Sequence, residues 1–129
     1  VARLEPITIS RSGIDRDPYE RLLYALLASC MLEVRRIALP AVPSQSTPVQ
    51  WAATVERIEA RMARLDMDLR WLDEIGTLAA RYLAERGWAV RTRWVAETLA
   101  HGRHTMAQLE EHRRQCLRLW IEARKGETS

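Results

Sequence analysis

Three histidines and a cysteine gather near the C-terminal end of the chain, in the order His101-x2-His104-x7-His112-x3-Cys116. Imidazole nitrogen and thiolate sulfur are the donors a tetrahedral zinc site uses, and His112 and Cys116, four residues apart, would share one face of a helix. Structural zinc sites more often bring paired cysteines. Histidines near helix ends and a cysteine continuing an apolar stripe account for the same residues, so no metal ligand is assigned. Other catalytic groupings are missing from the sequence: it has no Glu-x-x-His pairs, no glycine-rich phosphate loop, no G-x-S-x-G and no H-E-x-x-H. Asp66 and Asp68, two apart on a helix, do not face each other. Cys30 sits among Leu26, Leu27, Met31 and Val34, surroundings that favour a buried and inert thiol. The expectation is a non-enzymatic protein without a cofactor.

Around those histidines the residue types follow a second pattern. Val95-Ala96, Leu99-Ala100, Met106 and Leu109 occupy apolar and small positions on either side of His101-Gly102-Arg103-His104-Thr105. Over about residues 92–112 this resembles the helix-turn-helix of DNA-binding proteins, with the turn glycine displaced to Gly102. The resemblance implies that Arg103, His104, Thr105 and Gln108 open a recognition helix and meet base edges in the major groove, glutamine pairing with adenine and arginine with guanine. It also implies that Arg91, Arg93, Arg113 and Arg114 contact phosphates and set the register on the duplex. The alternative is that these side chains are solvated helix ends. The protein would then be a helical interaction module, such as an assembly factor, chaperone or inhibitor, with a protein partner.

The whole chain must position such residues, and its 129 residues suit one domain. Apolar residues at 47% and charged residues at 29% are ordinary for a globular chain and argue against general disorder. With Phe 0 and Trp 5, indoles must supply much of the large aromatic volume, each with an N–H that needs a partner when buried. A net charge of +3 permits a polyanionic partner without requiring one. Cys30 and Cys116 form no CxxC pair, and a reducing, cytoplasmic setting is expected. The apolar run Leu22 to Leu32 is too short to span a bilayer, and Arg3, Glu5 and Pro6 do not read as a signal peptide.

The elements expected are all helical: a bundle of four or five helices, with residues 1–16 as an extended N-terminal arm and residues 40–48 as a Pro/Ser connector. Asp17 as N-cap, Pro18 and Glu20 open the first helix, whose stripe runs Tyr19, Leu22, Leu23, Leu26, Leu27, Cys30, Met31, Val34 and Ile37 toward a stop at Pro40. Thr47, Pro48 and Gln50 form a capping-box start. From there Trp51, Val55, Ile58, Met62, Leu65, Leu69 and Leu72 alternate steps of four and three, a heptad seam that suits a homodimer contact. Ile75, Leu78, Ala79, Tyr82 and Leu83 extend the apolar face to a stop at Gly87. Because an unbroken helix here would be about 58 Å long, a kink or short turn within residues 66–77 is expected, with a long rod as the competitor. A helix over about 89–101 ending at Gly102 follows, then a last helix from a Thr105/Gln108 capping box to about Arg124.

Overall fold

A computed structural model describes residues 17–41 and 47–128, so the expected arm and most of the expected connector lie outside the described residues. The elements are α1 (Pro18–Arg36), α2 (Pro48–Trp71), a π-helical turn (Leu72–Gly76), α3 (Thr77–Glu85) and α4 (Thr92–Thr128). Among the described residues every regular element is helical. The junction residues Trp71, Leu72, Gly76 and Thr77 all keep right-handed helical dihedrals, so α2 and α3 form one rod through the π turn. Three rods therefore stand where four or five helices were expected. The anticipated break within 66–77 is a π turn, which inserts a residue into the helical ladder without reversing the chain.

Capping chemistry follows the sequence. Asp17 accepts a hydrogen bond from the Tyr19 amide, Pro18 fills the first turn, and Arg35 and Arg36 lie in the last turn where the helix dipole favours cations. Glu20 does not stay at the helix end, however. It is buried, and its carboxylate accepts a hydrogen bond from Trp88 Nε1 at 3.0 Å. At the start of α2 the capping box closes in both directions: the Thr47 amide donates to Gln50 Oε1 at 2.9 Å and the Gln50 amide to Thr47 Oγ1 at 3.3 Å. Gly87 stops α3 with φ +89°, while the Trp88 amide reaches Leu83 O and the Gly87 amide reaches Ala84 O. That bond pair is a Schellman closure, and it needs a residue that tolerates a left-handed backbone.

Past Gly87 the chain returns along the rod it has just left. Leu69 faces Gly102, Asp73 faces Arg103, and Glu59 faces Arg113, so α4 runs antiparallel to α2 over most of its length. The heptad seam is spent on this contact: Trp51, Val55, Ile58, Leu65 and Leu72 are buried, and Met62 and Leu69 are half-buried against the same core. A seam covered by its own chain is not free to pair with a second copy, which corrects the reading of it as a dimer surface. Beyond Leu72 the buried positions are Gly76, Ala79, Ala80 and Leu83. Small residues there let the rods come close, since a Cβ on Gly76 would lie 3.0 Å from Leu72 Cδ2 and 3.5 Å from Val95 Cγ1.

The largest departure concerns α4. Residues 92–128 are one helix of 37 residues, about 55 Å long, with no break at Gly102. Gly102 is buried at a crossing point: a Cβ there would lie 2.5 Å from Leu69 Cδ2 and 2.9 Å from Val34 Cγ1. The glycine therefore serves close packing of three rods and does not end the helix. Thr105 caps nothing; its hydroxyl donates back to His101 O at 3.1 Å, as a mid-helix threonine does, and the residue is buried.

α1 lies in the angle between the long rods. It runs antiparallel to α2 and α3, fixed by Arg61 to Ala38 O, Arg64 to Glu33, Cys30 to Asp68 O and Arg86 to Glu20, while Arg35 donates to Thr98 on α4. Tyr24, Leu27, Met31 and Val34 point into the core. Among the described residues no helix is long and apolar enough to cross a membrane.

Candidate functional site

The residues expected to read DNA occupy one stretch of α4 and the turn before it, but they do not converge. Arg103, His104 and Gln108 are exposed in the middle of the helix, where backbone amides are engaged in the helical ladder, and Thr105 faces the core. The two-helix geometry that the resemblance needs is missing from this segment, because no turn separates its halves. Three of the arginines have carboxylate partners: Arg103 with Asp73 at 3.6 Å, Arg113 with Glu59 at 3.6 Å and Arg114 with Glu111 at 2.6 Å. Arg91 and Arg93 lie together at the start of α4, exposed, and have no ion pair among the described residues.

The histidines and Cys116 are strung along one helix face after another. His101 and Cys116 are separated by about 22 Å at 1.5 Å per residue, too far for one ion. His112 Nε2 lies 3.1 Å from Pro40 O and fixes the exit of α1 to α4, and Cys116 is buried in the core. Among the described residues no group of three or more His, Cys, Asp and Glu side chains is placed to hold a metal.

Between α1 and α2 a small polar cluster forms at Cys30. Its thiol donates to Asp68 O at 3.6 Å, and burial, with the charges of Asp68 and Glu33 adding to it, pushes its pKa up to about 11. A thiol that stays protonated at neutral pH is a poor nucleophile. Asp68 carries the cluster's strain: Oδ2 is buried with no hydrogen-bond partner among the described residues. Burial raises its carboxyl above the usual range, opposed by the nearby Arg64 and supported by Glu33. A carboxylate whose folded pKa is raised favours the fold below its unfolded pKa of about 3.9 and loses that advantage as pH rises through the folded value. Asp68→Asn is therefore expected to raise the melting temperature at pH 7 by a few degrees, with the gain vanishing as pH falls toward 3. A gain independent of pH would contradict this account.

The most unusual surface lies on the outer flank of α1 and the π turn with α3. Tyr19 is 80% exposed, Leu22 56% and Leu26 49%, although all three belong to the stripe assigned to the core. Across from them Leu78 is 59% exposed, Ile75 42% and Tyr82 40%. The antiparallel register set by Glu33–Arg64, Cys30–Asp68 and Glu20–Arg86 places the two trios along the same flank. Six large apolar side chains, each at least 40% exposed along one flank, are more than the scattered single exposures of an ordinary surface. Tyr82 is held in place by Arg86, which stacks on its ring at 4.9 Å and donates to its hydroxyl at 2.9 Å. The signal in the sequence was present: eight of the stripe's apolar positions fall on α1, more than one buried face of a 19-residue helix needs. Compared with protein-family models, curated proteins and solved structures, the chain matches none.

Proposed function

We propose that the protein is a helical interaction module whose apolar flank receives an amphipathic helix of a protein partner. The carrying observation is the exposure of Tyr19, Leu22 and Leu26 beside Ile75, Leu78 and Tyr82. Two antiparallel helices bound a groove of the kind into which a partner helix lays residues spaced i, i+3, i+4 and i+7. Tyr19 and Tyr82, together at the end of the groove marked by Glu20 and Arg86, supply the rigid aromatic anchors that interfaces favour.

Site-specific photo-crosslinkers at positions 22 and 78, with position 107 on the outer face of α4 as control, test the reading in the cells that make the protein. The expected result is the same partner captured from both flank positions, through an apolar helix face, and lost in Leu26→Lys while the helical circular dichroism is kept. Homodimer crosslinks with a doubled mass in light scattering would replace the partner helix with a second copy. A duplex DNA affinity that falls steeply with salt and disappears in Arg91→Ala would favour nucleic acid instead. Absence of any crosslink specific to positions 22 and 78 sinks the proposal.

A further inference from the structure

An open hollow of about 430 Å³ lies where α3 ends and α4 begins. Its walls carry Arg81, Arg91 and Arg93 against one carboxylate, Glu85, which leaves a formal excess of two positive charges (three less one). The Arg81–Glu85 pair that the helical spacing predicts is not formed, and none of the three arginines has an ion pair among the described residues. Farther along α4, Arg103, Arg113 and Arg114 have carboxylate partners.

The backbone adds to the charge. Thr92 opens a 37-residue helix with no acidic residue in its first turn. Arg91 precedes it, and a guanidinium has no acceptor with which to cap the free amides. Cations at the positive end of a helix dipole repel it. Arg91 and Arg93 at that place disfavour the empty protein and strengthen the hold on an anion.

We propose that this hollow binds a compact phosphate ester. Three guanidinium forks offer more donors than the two oxygens of a carboxylate accept, whereas a phosphate monoester brings three terminal oxygens. Its charge of about −1.5 to −2 near neutral pH matches the excess in the wall. The hollow is open to solvent, which leaves room for an organic body to extend beside the phosphate. Ala84, Val90 and the arginine stems give that body an apolar floor. An extended polyanion fits less well: past Arg93 the exposed residues of α4 include Glu97 and Glu111, and Arg103, Arg113 and Arg114 are paired with carboxylates.

Titrations of the full chain with inorganic phosphate, a hexose phosphate, acetate and duplex DNA, followed by amide chemical shifts and by melting temperature, test the site. The expected order of affinity is hexose phosphate above inorganic phosphate above acetate, with the shifts confined to residues 81–93. Arg91→Gln with Arg93→Gln is expected to weaken hexose phosphate at least about tenfold, and Arg103→Gln to leave it within about twofold. Arg91→Asp supplies a cap acceptor and removes a like charge, so it should raise the melting temperature of the ligand-free protein while erasing the ligand-dependent rise. Equal affinity in the Arg91/Arg93 variant, shifts outside the hollow, or no binding at millimolar hexose phosphate overturns the site. Duplex DNA that displaces the hexose phosphate from these residues at lower concentration overturns the compact-ester assignment.

Discussion

Replacing Trp88 by alanine is expected to destabilise the protein by about 4 kcal/mol, in the range for emptying a large aromatic site in a core. Trp88 is 6% exposed, and its ring lies 4.7 Å from that of Tyr24, tilted by 34°. Its indole N–H donates to Glu20, whose carboxylate is also 3.7 Å from Arg86. One side chain thus joins the first turn of α1 to the loop that closes the long hairpin. Trp88→Phe separates the two contributions, because it keeps most of the ring and removes the donor. About 1–2 kcal/mol of the loss belongs to that donor, the cost of leaving a buried acceptor short of a partner. Urea unfolding followed by circular dichroism measures both variants, and a loss below 1 kcal/mol for Trp88→Ala would show that the latch does not hold α1.

Gly102→Val is expected to cost about 3 kcal/mol, the upper part of the usual range for overpacking a core. The neighbours explain the size: Val34 is fully buried and stiff about χ1, so it cannot swing away from a new side chain 2.9 Å distant. Leu69 is the softer neighbour. Gly102→Ala gains about 1 kcal/mol of helix propensity and still loses overall, because its Cβ meets both. In a Leu69→Ala background the crowding is relieved on one side, and the same Gly102→Ala change is expected to become neutral or stabilising. That reversal distinguishes a crossing glycine from a turn glycine, whose penalty comes from its own dihedral angles and ignores Leu69. An unchanged cost of Gly102→Ala in the two backgrounds would return the turn to consideration.

The contrast between Gly87 and Gly102 shows why helix caps could be read in the sequence and rod length could not. Asp17-Pro18, Thr47-Pro48-Gln50 and Gly87 act through bonds within five residues of themselves, so the local sequence contains their cause. Gly102 looks the same in sequence as Gly87, and only the approach of Leu69 and Val34, each more than thirty residues away, decides that it lies inside a helix. The heptad seam was legible from Trp51 to Leu72 because its residues are large. Its continuation through Gly76, Ala79 and Leu83 keeps the same alternation of four and three, but the bulkier Ile75, Leu78 and Tyr82 on the next face masked it. Hydrophobicity ranks side chains by size, whereas two rods in close contact select small ones. The same confusion concealed the flank, since a helix with apolar residues on two faces gives no local sign of which one is covered.

The closure at Gly87 also has a consequence for the order in which the protein assembles. Only six residues separate the end of α3 from the start of α4, so the first contacts between the long rods cost little chain entropy. Contacts farther from the turn join residues ever more distant along the chain, from Leu69 with Gly102 to Ala52 with Trp120. Such a hairpin is expected to zip from its closed end, with α1 docking on the half that zips first. The open end, where α2 and α4 meet beyond the reach of α1, is then the last part to form and the first to fray.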